Sequence, residues 1–256
     1  MMTWNLGPLN LHSRLLLGSA GYPNLASLEQ SLINSGCEIA TIAIRRVNTD
    51  EPGGDIFLNT IRKNNIKLLP NTAGCYTAKD AVLMAQLACE AFQTDWVKLE
   101  VIGDTYTLYP DAEELLKAAR ELISKKINVL PYCTDDPILC RKLEDMGCLA
   151  VMPLGAPIGS GQGIRNPQNI ELIVKQSKIP VIVDAGVGTA SHAAFALELG
   201  CDGVLMNTAI AKAKNPPQMA LAMKQAVEAG RNAFEAGRIP ERKMATPSTT
   251  PKGLFF

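Results

Sequence analysis

Eight short apolar runs alternate with segments of helical periodicity, and this alternation limits the possible folds more than any other feature of the chain. The runs cover 14–18, 39–44, 67–70, 96–102, 128–132, 149–153, 181–184 and 203–206. Several are rich in Val, Ile and Leu without polar alternation, as buried parallel strands are when both faces are covered. Between them, helical periodicity is clearest over 25–35, 78–91, 111–125, 135–146, 167–176, 190–199 and 216–235. Strand then helix, repeated about eight times, implies a parallel sheet with right-handed crossovers. An open doubly wound sheet satisfies the same pattern. Eight repeats within 256 residues favour closure into a (β/α)8 barrel, the TIM-barrel class, which typically needs roughly 250.

Local signals agree with this reading. Gly36-Cys37, Gly147-Cys148 and Gly200-Cys201 each stand where a helix gives way to a strand. Glycine suits the left-handed position that closes a helix, and a small apolar cysteine suits the tight packing after it. Acids and prolines at Pro110-Asp111 and Asp135-Asp136-Pro137 mark helix starts. The barrel is expected to occupy 1–236 as a single domain. The stretch 237–256, with three prolines and several Ser and Thr residues, reads as a tail, either mobile or folded over a site or a neighbouring subunit.

Composition narrows the function classes. Hydrophobic residues make up 47% and charged residues 20%, which suits a globular chain with a real core. Lys plus Arg equals Asp plus Glu at 25 each, so charge gives no reason to expect nucleic acid or an anionic membrane as the main partner. Seven widely spaced cysteines and only two histidines, His12 and His192, supply neither a disulfide framework nor a zinc site, and suit free thiols in a reducing cytosol. There is no signal-peptide pattern and no run of 18 apolar residues, so a soluble cytoplasmic protein is expected.

The fourth strand carries the most chemistry. Side chains alternate between the faces of a strand. Val97, Leu99 and Val101 share one face and fit under helices; Trp96, Lys98, Glu100 and Ile102 share the other. Lys98 and Glu100 are thus expected inside the barrel, where charges are costly unless paired or used. Burial lowers the pKa of an amine, and a neutral amine attacks carbonyl carbon. Glu100 is placed to move protons during imine formation, or to hold the ammonium until a substrate arrives. A purely structural Lys–Glu pair fits the spacing equally well.

The seventh strand ends at Asp184, a position suited to catalysis on a barrel rim or to orienting the next loop. Gly186 and Gly188 then precede a helix, and the eighth strand runs into Asn207-Thr208. Loops after strands seven and eight commonly form a phosphate cup; two ordinary strand-to-helix turns are the alternative. Gly155, Gly159, Gly161 and Gly163 make the loop after strand six flexible or closely approached, able to wrap a phosphate or to act as a lid. Arg45-Arg46 and Asn71-Thr72-Ala73-Gly74 fall on the same rim as anion or partner contacts or as solvated surface, and His192 reads as structural.

These stretches together resemble bacterial thiazole synthase. The resemblance is carried by LLLGSAGYPN, AIRRVN, LLPNTAGCYTAKDAV, DWVKLEVIGD, VMPLGAPIGSGQGI, VIVDAGVGTASHAAFALELGCDGVLMNTAIA and GRIP, and spans nearly the whole chain. It implies a (β/α)8 barrel whose lysine, here Lys98, forms an imine with 1-deoxy-D-xylulose 5-phosphate. It implies acid–base roles for Glu100 and Asp184, and substrate contacts at Gly159, Ala185, Gly186, Asn207 and Thr208. It further implies sulfur delivered by a thiocarboxylated ubiquitin-like carrier protein, dehydroglycine from a separate supplying enzyme, no metal or organic cofactor, and a homo-oligomer, often a tetramer. The Arg45-Arg46 neighbourhood is a candidate rim for the carrier. A class I aldolase using the same lysine, and a non-catalytic barrel that binds a phosphorylated ligand, are the competing readings.

Overall fold

The computed structural model describes residues 3–43 and 58–248. Ahead of the barrel lies an antiparallel hairpin, β1 (Trp4–Leu6) and β2 (Leu9–Leu11), with Trp4 opposite Leu11 and Leu6 opposite Leu9. The barrel strands follow as β3 (Leu15–Gly18), β4 (Ile39–Ala43), β5 (Lys67–Asn71), β6 (Trp96–Leu99), β7 (Asn128–Cys133), β8 (Met152–Pro153), β9 (Ile182–Asp184) and β10 (Gly203–Met206). They form one parallel sheet in the order β8-β7-β6-β5-β4-β3-β10-β9. Its two edges then meet: Val151 N–H donates to the Pro180 carbonyl and Ile182 N–H to the Val151 carbonyl, both at 3.0 Å. The ring is therefore closed, and the open-sheet alternative is excluded.

Helices cover Leu25–Ser35, Ala78–Phe92, Ala112–Ser124, Pro137–Asp145, Pro167–Gln176, Ala190–Glu198, Thr208–Ala211 and Pro216–Ala236, with further helical residues at 58–62. The expected helices at 25–35 and 167–176 match end to end, and the other five agree to within two residues. Asp111 accepts from Glu114 N–H, and Asp136 accepts from Ile138 and Leu139 N–H ahead of Pro137. Each satisfies orphan donors of the first turn. Gly36, Gly147 and Gly200 all have positive φ, and the cysteines after them are buried.

Alternation along the strands divides the core in two. Leu15, Leu17, Ala40, Val97, Leu99, Val129, Val151, Val183 and Val204 face outward and pack beneath the helices. Leu16, Ile39, Leu69, Trp96, Leu130, Met152, Ile182 and Leu205, one from each barrel strand, fill the interior, and Trp4, Leu6 and Leu11 of the hairpin join them. The hairpin thus plugs the end of the barrel opposite the strand C-termini. The alternation Trp4-Asn5-Leu6, a Gly7-Pro8 turn and Leu9-Asn10-Leu11 is a hairpin signal. Its strands have only three residues each, too short to show as continuous apolar runs.

The fourth strand is shorter than expected. It ends at Leu99, and Ile102 instead bridges Pro110 across an antiparallel turn. The helix Pro216–Ala236 ends at Gly237, after which 238–248 lack regular secondary structure and are exposed. Residues 249–256 lie outside the described residues. Among the described residues, no helix is long and apolar enough to cross a membrane.

Gly230 marks the closest approach between the last helix and Ala190–Glu198. A Cβ there would lie 2.2 Å from the Ala194 carbonyl oxygen, against rigid backbone. Gly230→Ala improves helix propensity by about 1 kcal/mol, yet it forces the two helices apart, which costs about 1–3 kcal/mol. The variant is expected to unfold at lower urea concentration than the parent, the reverse of what propensity alone dictates. An unchanged or raised midpoint refutes the close packing.

Candidate active site

Two residues beyond the apolar interior layer, the same inward faces turn polar. Thr41 follows Ile39, Asn71 follows Leu69, Lys98 follows Trp96, Asp184 follows Ile182, and Asn207 follows Leu205. These five residues line a cavity of about 910 Å³ at the C-terminal ends of the strands. The period of a strand thus sets a polar floor directly above an apolar one.

At its centre, Lys98 Nζ lies 2.7 Å from Asp184 Oδ2 and 3.2 Å from Glu100 Oε1, with all three side chains at most 8% exposed. The Tyr132 ring centroid stands 5.9 Å from the same nitrogen. Glu100 is beyond the strand end and is fixed by Thr72. Glu100 N–H donates to Thr72 Oγ1 at 2.7 Å, and the Thr72 hydroxyl donates to the Glu100 carbonyl at 2.8 Å. Thr72 is therefore a buried brace, not the anion contact or solvated residue expected for its segment.

The electrostatics correct one expectation. Burial acts to lower the Lys98 pKa, but the charges of Asp184 and Glu100 outweigh it and hold the pKa above the ordinary lysine value. The two carboxylates thus favour the ammonium form of this amine over the neutral base that burial alone would give. Asp184 is raised from 3.8 to about 6: desolvation raises it most, the Lys98 charge opposes, and Glu100 raises it further. Asp184 Oδ2 touches the ammonium without meeting hydrogen-bond geometry to any protein group. The result is a buried cation beside a carboxylate whose proton affinity lies close to neutrality.

The rim is built from interlocked glycine loops. Ala185 and Gly186 both have positive φ, 76° and 84°. A Cβ on Gly186 would fall 2.3 Å from Ala156 N, and one on Gly188 would fall 2.6 Å from the Gly161 carbonyl oxygen. The loops after β8 and β9 thus touch backbone to backbone, which only glycine allows. Among the described residues, the N–H groups of Gly159, Gly161, Gly186 and Val187 have no acceptor within the chain. Such free amides beside a helix start favour an anion. Gly159, Ala185, Gly186, Asn207 and Thr208 all line the cavity, together with Lys98, Glu100 and Asp184. These eight candidate residues are therefore in one place. Arg45 and Arg46 lie outside the described residues.

Three residues at the site, and the role of a fourth, were not singled out by the sequence. Tyr132 follows Leu130 on the inward face of β7, and alternation would have found it. Gly18 is required because a Cβ there would lie 2.4 Å from Asn207 Cβ. Lys212 also lines the cavity. The bracing role of Thr72 had no local signal, because its partner is 28 residues away.

Because Asp184 has a raised folded-state pKa, the native protein binds more protons than the unfolded chain between pH 3.8 and about 6. Its contribution to stability is full below that window and is lost as pH rises through about 6. Asp184→Asn, which cannot titrate, removes this component. The parent is expected to gain stability relative to the variant as pH falls from 7 to about 4.5. Parallel pH dependences in urea denaturation would show that Asp184 is not perturbed.

A family model described as "Thiazole biosynthesis protein ThiG" matches residues 5–250. The chain is 58% identical to the thiazole synthase of Geobacter sp. (strain M21) over 243 residues, covering 95% of this chain and 94% of the relative. It is 56% identical to the thiazole synthase of Sorangium cellulosum (strain So ce56) over 248 residues, covering 97% and 95%. Among solved structures, the crystal structure of the Amycolatopsis orientalis BexX/CysO complex contains a chain that superposes with a TM-score of 0.85. The identity is 30%, over 94% of this chain and 98% of that one. The polar floor and glycine rim thus sit in a chain that belongs to the ThiG family of thiazole biosynthesis proteins, and it is an enzyme of thiazole synthesis, a transferase.

Proposed function

We propose that the cavity binds 1-deoxy-D-xylulose 5-phosphate, with Lys98 forming an imine at its ketone and the glycine loops after β8 and β9 holding its phosphate. The observation that carries this reading is the Lys98 ammonium clamped between Asp184 and Glu100 on the floor of a cavity rimmed by free amides. An ammonium is not a nucleophile, so the first step is proton transfer to Asp184, the neighbouring carboxylate with affinity near neutrality. The neutral amine adds to the ketone carbon, and the carbinolamine oxygen leaves as water once it is reprotonated by Asp184 or Glu100. The same two carboxylates then carry the proton transfers that move the carbonyl along the sugar chain.

Sulfur enters from the thiocarboxylate of a small ubiquitin-like carrier and replaces a sugar oxygen, which passes to the carrier's carbonyl carbon and leaves its C-terminus as a carboxylate. Dehydroglycine contributes the remaining carbon and nitrogen, and ring closure with loss of water gives the thiazole phosphate carboxylate that serves thiamine synthesis. The two-protein complex of the Amycolatopsis relative supports a docked partner. Exposed Tyr76 and Ile158 at the cavity mouth provide apolar contact surface for it. No step calls on a metal or organic cofactor, because the lysine supplies the electron sink. Assembly as a homotetramer and a cytoplasmic location complete the proposal, with residues 1–236 as the catalytic barrel and 237–256 as its tail.

Borohydride reduction in the presence of the sugar phosphate is expected to leave a sugar adduct on the peptide containing Lys98, and none in Lys98→Ala. Asp184→Asn and Glu100→Gln are each expected to slow adduct formation about a hundredfold or more. Below pH 6 the parent's rate is expected to fall about tenfold per pH unit as Asp184 becomes protonated and can no longer take the amine's proton. An unlabelled Lys98 at saturating sugar phosphate rules out the imine. Retro-aldol products formed from the sugar phosphate alone would favour an aldolase.

A further inference from the structure

The helix Ala190–Glu198, which follows the β9 glycine loop, starts unlike the other helices of nine residues or more among the described residues. The helices beginning at Leu25, Ala78, Ala112, Pro137, Pro167 and Pro216 have side-chain caps from Asn24, Thr77, Asp111, Asp136, Asn166 and Asn215. Thr189, at the equivalent place, makes no such bond. His192, the third residue of the helix, reaches back instead, and its Nδ1 accepts the Gly188 N–H at 3.3 Å. His192 is the residue from which a capping box reaches back, but its imidazole accepts from Gly188, one residue before the N-cap Thr189, and so ties the glycine loop to the helix rather than capping it.

The same ring lies against the other loop. A Cβ on Gly163 would come within 3.0 Å of His192 Cγ and Cδ2, so the imidazole fills the space that a side chain there would need. Gly163 N–H in turn donates to the Gly186 carbonyl at 2.8 Å. His192 therefore bonds to the loop after β9 through Gly188 and packs on the loop after β8 through Gly163. These are the two loops whose unused amides, at Gly159, Gly161, Gly186 and Val187, line the cavity and are available to a ligand. With Gly188 N–H committed to the imidazole, it is withdrawn from the set available to a ligand, and the remaining donors are held at a fixed spacing.

We infer that His192 is a positioning residue for phosphate recognition, acting through Gly188 and Gly163 without touching substrate. This rests on the reading that the paired loops hold the phosphate of the sugar. The role requires a lone pair at Nδ1, which places the ring proton on Nε2. Asparagine presents a carbonyl oxygen at the same distance from the backbone and should serve in its place. Leucine fills the space against Gly163 but accepts nothing.

The test compares His192→Asn, His192→Leu and His192→Ala with the parent in borohydride trapping at Lys98. The substrates are 1-deoxy-D-xylulose 5-phosphate and its unphosphorylated sugar. In the Leu and Ala variants, half-saturation by the phosphorylated sugar is expected to rise about tenfold, while half-saturation by the free sugar and the maximal trapping rate hold steady. The Asn variant is expected to recover to within about threefold of the parent. Equal losses for both sugars, no loss for either, or an Asn variant as impaired as Ala would each overturn the inference. Inorganic phosphate, titrated calorimetrically into the same proteins, gives a readout independent of the imine. It is expected to bind about tenfold more weakly to the Leu and Ala variants than to the parent and the Asn variant. If neither sugar labels Lys98 in the parent, the imine reading fails, and this titration still decides the role of His192; equal affinities throughout would refute it.

Discussion

The site depends on one cation shared by two carboxylates in a place almost sealed from water. Two anions around a single ammonium leave the buried cluster of Lys98, Glu100 and Asp184 one negative charge in excess. Burial makes that excess costly, and the cost is expressed in Asp184, the acid held near 6. A lone buried lysine would shed its proton and be nucleophilic at rest. With two counter-charges it keeps the proton, and reaction must begin with a transfer across 2.7 Å to Asp184, a carboxylate whose proton affinity burial has raised. The clamp therefore stores the amine in an unreactive form and also supplies its release.

The surrounding architecture follows from keeping three charged side chains in register. Lys98 and Asp184 stand on different strands of a closed ring, each two residues above an apolar side chain of the interior layer. Glu100 stands past the end of its strand, where no ladder would fix it, and the hydroxyl of Thr72 does so instead. The glycine rim is built on the opposite principle. There, side chains are removed so that two loops can meet through their backbones and leave amides unspent.

Much of this was legible in the sequence because strand alternation and helix periodicity are local. The inward placement of Lys98 and Glu100 followed from their spacing to Trp96, and the barrel from counting repeats. The helix limits were legible because caps such as Asp111 and Asp136 are local too. What escaped depended on contacts distant in sequence. The Lys98 charge state was misjudged because burial was weighed against one carboxylate two residues away, without the second from β9. Thr72 read as rim because nothing near it in sequence reveals that its partner is Glu100. His192 read as structural because its contact with Gly163 joins segments brought together only by the fold.

The hairpin plug has a consequence for traffic. With Trp4, Leu6 and Leu11 stoppering the far end of the barrel against the interior side chains, the cavity of the lysine opens, among the described residues, at the strand C-termini. On the proposed reading, arrivals there queue: the small phosphorylated reactant is seated deep before a bulkier donor fills the entrance, and the finished molecule departs after that donor withdraws. On that reading, a short strand pair at the closed end, far from any bond-making atom, sets an order of entry and exit.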